Sequence, residues 1–200
     1  MPGSRGSAPD PAARADSVRH SYTPADVEFM KGMIRHHAQA LVMARMAPTR
    51  GANASVRVLA ERIINGQNDE IALMRRWLRD RNESVPEPVP ASVDMAMHGE
   101  GQPMHGGGHP IHMPGMLSEE QLEELDAARG ATFDRLFLTY MIQHHQGALT
   151  MVNELFSTYA AGRGEVVFKL ASDIGADQAS EIARMQSMLR KMLFENVSSP

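Results

Sequence analysis

Two stretches of this 200-residue chain carry the same reactive side chains at the same intervals. DVEFMKGMIRHHAQALVM begins at Asp26 and DRLFLTYMIQHHQGALTM at Asp134. The skeleton Asp-x-x-Phe-[apolar]-x-x-Met-Ile-x-His-His-x-x-Ala-x-x-Met therefore recurs 108 residues on, from His36 to His144. A second pair follows: Ile63, Gln67, Glu70, Ile71 and Met74 recur as Ile174, Gln178, Glu181, Ile182 and Met185, 111 residues on. Each copy thus offers Met33, His36, His37 and Met43 (or Met141, His144, His145 and Met151), followed by Gln67, Glu70 and Met74 (or Gln178, Glu181 and Met185). Imidazole plus thioether, in a chain with no cysteine, is a donor set suited to Cu(I) or to copper cycling between states. A ferritin-like di-iron site asks for about four carboxylates with paired Glu-x-x-His motifs, and each half here has one inward Glu. Tetrahedral zinc could use His and Glu, but the repeated Met would then have no role.

The elements that position these residues follow from the repeat, which says that one helix pair was duplicated. Thr23-Pro24 with Asp26 in the first turn starts a helix that runs to about Met46, ended by Pro48 and Gly51. A second helix runs from near Asn53 to about Arg81, with Val56, Leu59, Ile63, Gln67, Glu70, Met74 and Trp77 at helical spacing. Ser118 with Gln121 forms a capping box for a short acidic helix closed by Gly130. Thr132 is expected to cap a third long helix reaching about Tyr159, and a turn at Gly162 and Gly164 leads to a fourth over 165–193. No strand pattern competes. The prediction is an all-α four-helix bundle built from two duplicated antiparallel hairpins. A Pro/Gly/Ala/Ser-rich leader (1–21, expected to be disordered) precedes the first hairpin repeat (22–82). A Met/His/Pro/Gly-rich linker (83–116) leads to the second hairpin with its short preceding helix (117–195).

Helical geometry puts Phe29, Met33, His36, His37, Ala40 and Met43 within one arc of about 120°. Across each antiparallel hairpin, the His pair comes level with Glu70 or Glu181, and Met33 or Met141 with Met74 or Met185. Adjacent His residues point about 100° apart, so one of each pair should face the bundle axis while the other flanks it or donates to a carboxylate. His37 and His145 are the axial choice, each one turn from Met33 or Met141. Met43 and Met151, ~10 Å further along, are expected to bind separately or to line a route. The first site is then Met33, His37, Glu70 and Met74, and its copy Met141, His145, Glu181 and Met185. His36, His144, Met43, Met151, Gln67 and Gln178 would be near ligands or outer partners. The plainer alternative is a structural His–Glu hydrogen bond in an ordinary Met-filled core.

The linker crowds Met95, Met97, His98, Met104, His105, His109, His112, Met113 and Met116 into one segment. Tracts of this composition capture metal; His98, Met104, His105, His109, His112 and Met113 are its candidate ligands, and a simple tether is the alternative.

Other classes are excluded more simply. A net charge of −4 and a pI of about 6.1 argue against nucleic acid as a partner. No stretch approaches the ~20 apolar residues that span a bilayer. Without cysteine there is no disulfide, thiolate site or Cys nucleophile. No phosphate-binding loop or Ser-His-Asp arrangement is legible, and the first residues lack the apolar core of a signal peptide.

MIRHHAQALVMA with QNDEIALMRRWL, and FDRLFLTYMIQHHQGALTM with QASEIARMQSML, resemble the bacterial domain-of-unknown-function family 305 over about 26–79 and 117–190. The resemblance implies a ferritin-like four-helix bundle, a periplasmic or secreted location and, as in some members, copper binding; it implies no enzymatic reaction. The family's Trp-Leu ending stands as Trp77-Leu78 but becomes Met188-Leu189 in the second copy, and Gly175 and Asp177 precede Gln178. A looser second helix pair is therefore expected. The resulting expectation is a metal-binding protein of the bacterial envelope, for sequestration, resistance or delivery. Copper, as Cu(I), is favoured over Zn or Fe, and a metal-donor or metal-acceptor protein would be its partner. The rival readings are a ferritin-like metal-dependent oxidase and a metal-free helical protein-interaction module.

Overall fold

The computed structural model describes residues 22–87 and 113–197, and every regular element among them is helical. Helix α1 spans Pro24–Met46 and passes through a 3-10 turn, Ala47–Thr49, into α2, Ala54–Arg79. A short α3, Glu119–Ala127, precedes α4, Gly130–Ser157, and α5, Glu165–Val197. The starts of α1, α2 and α3 are those the sequence signals. Thr23 and Asp26 form a capping box on α1, Asn53 accepts from Val56 N on α2, and Ser118 with Gln121 caps α3. Helix α4 differs. It begins at Gly130 rather than at a Thr132 cap, and its N-cap Arg129 makes no side-chain capping bond. The start is held from outside instead: Gly130 N donates to the Arg50 carbonyl (2.8 Å), and the Arg50 guanidinium pairs with Asp126.

Helix α1 packs along α2 and α4 along α5, while α1 and α4 meet to join the hairpins and α2 and α5 barely touch. The second pair is not loosened: α5 runs unbroken through Gly175 and Asp177, and a Cβ at Gly175 would meet Val152 at an ordinary 3.7 Å.

The core divides into two apolar clusters at opposite ends of the bundle. One is built mainly from the start of α1, the end of α2, the end of α4 and the start of α5; the other uses the complementary halves. The first contains Met33, Met74 and Met151, the second Met43, Met141 and Met185. Met43 and Met151 each lie in the cluster that holds the Met pair of the other hairpin. Because α1 and α4 run antiparallel, each crosses to complete the Met pair of the opposite hairpin.

The repeated aspartates also work across the pair. Asp26 Oδ1 accepts from Gly162 N (2.7 Å) in the α4–α5 turn, and Asp134 accepts from Asn53 N (3.2 Å) and Nδ2 (2.8 Å) at the start of α2. Each copy pins the other's turn. Burial pushes the Asp134 carboxyl above its ordinary range, opposed by the Asn53 hydrogen bonds.

Candidate metal centre

Between the two apolar clusters lie four histidines, all fully buried. His37 Nε2 donates to Glu70 Oε2 (2.6 Å) and His145 Nε2 to Glu181 Oε2 (2.7 Å), so the register read from the sequence brings each His–Glu pair together. The axial assignment reverses. His36 and His144 meet where α1 crosses α4, with ring centroids 3.8 Å apart and planes tilted by 39°. His37 and His145 turn aside towards the carboxylates of their own hairpins. The spacing that places His37 above Met33 says nothing about the α1–α4 contact, which selects the other ring.

These contacts fix the state of the imidazoles. A carbonyl or carboxylate oxygen only accepts, so the partner nitrogen carries the proton. His36 Nε2 donates to the Pro114 carbonyl (3.0 Å), as His37 and His145 Nε2 do to their glutamates. In His36, His37 and His145 the lone pair is left on Nδ1, and none of these Nδ1 atoms has a partner. His144 has neither nitrogen in a well-formed hydrogen bond. Burial drives the His36 pKa down to about 3, with His37 adding to the effect, and holds His144 well below its ordinary value with His36 next in importance. His36 and His144 are therefore neutral at pH 7, the form that binds metal.

A strap from the end of the linker closes one side of the layer. Met113–Leu117 crosses α1 and α4, with Met113 and Leu117 buried. Gln39 holds it from both ends of its amide, accepting from Leu117 N (2.8 Å) and donating to Leu117 O (3.0 Å). Gly115, at φ +75°, would drive a Cβ to 2.5 Å from the Gln143 carbonyl, and a Cβ on Gly147 would stand 1.9 Å from the Pro114 carbonyl. Neither site admits another residue with the strap in place. Gln39 and Gly147 occupy equivalent positions in the two copies, so the legible signal was their asymmetry: one strap needs a clasp on α1 and clearance on α4.

Of the predicted ligands, Met33 and Met74 share one cluster with Met151, and Met141 and Met185 share the other with Met43. The four histidines and two glutamates form the layer between. Gln67 and Gln178 are buried beside the glutamates, with Gln67 Oε1 and Nε2 and Gln178 Oε1 unpartnered. Met113 lies in the strap; His98, Met104, His105, His109 and His112 fall outside the described residues, as does the leader. Among the described residues no three His, Asp or Glu side chains converge to hold a metal ion, and no helix is long and apolar enough to cross a membrane. A closed cage of nitrogen and oxygen ligands is thus not preformed. The donors that fit are imidazole Nδ1 atoms and Met thioethers, which suit a soft ion of low coordination number.

The fold and this layer define a four-helix bundle of two interlocked hairpins enclosing a buried imidazole–thioether core. The chain belongs to the family described as Domain of unknown function (DUF305), whose model matches residues 26–189. Its structure is similar to a DUF305 fragment from Deinococcus radiodurans, at 30% identity over 85% of this chain and 98% of that one, with TM-score 0.67. A DUF305 protein of Streptomyces coelicolor, named as a candidate secreted protein, matches at 26% identity over 84% and 93%, with TM-score 0.66. CopM, solved in Cu(I)-, Cu(II)- and Ag-bound forms, matches in its Cu(II) form at 30% identity over 83% and 96%, with TM-score 0.61. No curated protein sequence matches this chain.

Proposed function

We propose that this protein binds copper, as Cu(I) in preference, within its histidine–methionine core, and serves the bacterial envelope in sequestration, resistance or delivery. The observation that carries the reading is the set of buried imidazole nitrogens without partners. Buried polar atoms are normally hydrogen-bonded, and each left unpaired costs about 1–3 kcal/mol. Here four Nδ1 atoms are left so, three of them in rings whose opposite nitrogen is pinned by an acceptor. That is how ligating histidines are oriented by an outer carboxylate or carbonyl. Glu70 and Glu181 accordingly orient His37 and His145 rather than ligate. His36 and His144, back to back between the hairpins, would supply one pair of nitrogens, and the two Met triplets the thioethers. The copper- and silver-bound forms of CopM support the choice of ion, and the Streptomyces relative supports the location.

The test is anaerobic Cu(I) titration against a competing chelator. Four proteins are compared: the full chain, a variant lacking 90–112 that retains the strap, and the double variants His36→Ala/His144→Ala and His37→Ala/His145→Ala. Tight binding that survives the deletion and is lost with either pair places copper in the core. Binding lost with the deletion alone assigns it to the Met/His-rich linker. A melting temperature unchanged by Cu(I) in all of them favours the metal-free module, since a ligand of the native state must raise its stability.

A further inference from the structure

On the side of the bundle away from the strap, where α2 and α5 barely touch, a solvent-open cleft of about 200 Å³ separates them. Glu70, Asp177 and Glu181 line it, with Gln67 and Gln178 and a single basic residue, Arg62. Three carboxylates against one guanidinium make the lining acidic. Glu70 and Glu181 each give one oxygen, Oε2, to an imidazole, leaving Oε1 uncommitted. Gln67 and Gln178 are 3% and 2% exposed, yet both Gln67 amide atoms and Gln178 Oε1 lack partners. Two buried amides lining an acidic cleft, with their polar atoms unsatisfied, mark a place where something polar belongs.

We propose that this cleft is a second cation site, distinct from the soft-donor core and built for a hydrated divalent cation. Its donors are all oxygen: the carboxylates of Glu70, Asp177 and Glu181 and the amide oxygens of Gln67 and Gln178. Oxygen donors select hard ions, whereas the imidazoles and thioethers inside select soft ones. The carboxylates do not converge into a cage. The ion therefore keeps part of its water shell and is reached partly through it, as small divalent cations characteristically are. Asp177 is what the duplication did not supply, since its counterpart in the first copy is Gly66. Burial, with Glu70 and Glu181 next, already pushes the Asp177 carboxyl upward, a repulsion that a bound cation relieves.

The proposal is independent of copper binding and is tested with Mn(II) alone, on the full metal-free chain. Free Mn(II) is followed by its paramagnetic resonance signal, and the bound ion is located by broadening of backbone amide NMR signals. The expected result is one saturable site that broadens Gln67, Glu70, Gln178 and Glu181, with affinity reduced about tenfold in Asp177→Asn, as loss of one charge a few ångströms from a divalent ion requires. Gln178→Met, close in volume and lacking the amide oxygen, should weaken it as well. Asp177 is exposed on a helix surface, so its substitution leaves the fold intact. No Mn(II) binding, equal affinity in Asp177→Asn, or broadening confined to the Met/His-rich linker overturns the proposal. A parallel Cu(I) titration separates the two sites. Mn(II) binding without Cu(I) binding refutes the copper reading alone, and the reverse refutes the cleft alone.

Discussion

Replacing Gly147 with alanine adds one methyl group and should displace a whole segment. The new Cβ would lie 1.9 Å from the Pro114 carbonyl oxygen and 2.4 Å from its carbon, both backbone atoms of the strap. Neither can rotate away, so Met113–Leu117 must lift from α4. Lifting breaks the His36–Pro114 hydrogen bond and both Gln39–Leu117 bonds, at about 1 kcal/mol each. It also returns the buried Leu117 and Met113 side chains to water, at about 1.5–3 kcal/mol each. Alanine recovers about 1 kcal/mol of helix propensity. Partial relaxation keeps some of these contacts, so a loss of about 3–5 kcal/mol in unfolding free energy is expected. Gly66→Ala is the internal control: it is also a helical glycine, but nothing lies within 4 Å of its Cβ, and it should gain up to about 1 kcal/mol. Urea denaturation of both variants gives the magnitudes. Nitrogen NMR of His36 gives the mechanism, because loss of the Pro114 acceptor removes what fixes its proton on Nε2. A Gly147→Ala protein as stable as the parent, with an unchanged His36 tautomer, would refute the clamped-strap account.

Acid should destabilise the metal-free protein through the stacked pair. The folded pKa of His36 is about 3 against an ordinary 6.5, so its stabilising effect is complete above pH 6.5 and is lost as the pH falls towards 3. By pH 5 this one residue costs about 2 kcal/mol, and His144 acts in the same direction. Equal urea midpoints at pH 7 and pH 5 would contradict it. Asp134→Ala leaves Asn53 N and Nδ2 without their acceptor and should cost about 1–3 kcal/mol; a loss under about 0.5 kcal/mol would mean that the turns are not pinned across the hairpins. Glu70→Gln with Glu181→Gln keeps an acceptor for each imidazole but removes its charge. Cu(I) affinity measured by chelator competition should fall about 10–100-fold, and an unchanged affinity would make these carboxylates purely structural.

The sequence alone determined the helices and the hairpins. Thr23, Asn53 and Ser118 announce helix starts because a cap is satisfied within three residues of itself, and the His–Glu pairs follow because hairpin register depends only on the turn and the rise per residue. The duplication likewise made the buried His, Met, Gln and Glu visible as a set. What the chain could not disclose is everything set by how one hairpin docks on the other. That docking puts His36 on His144 rather than His37 on His145, and carries Met151 to Met33 and Met74, and Met43 to Met141 and Met185. It also sends Asp26 and Asp134 to each other's turns and leaves α2 and α5 apart over an acidic cleft. These are contacts between residues about a hundred positions apart, chosen by crossing geometry and side-chain volume, and no local periodicity encodes them. The start of α4 shows the same rule on a small scale: Thr132 carries the right chemistry for a cap, but a carbonyl from Arg50, brought there by the α1–α2 turn, decides where the helix begins.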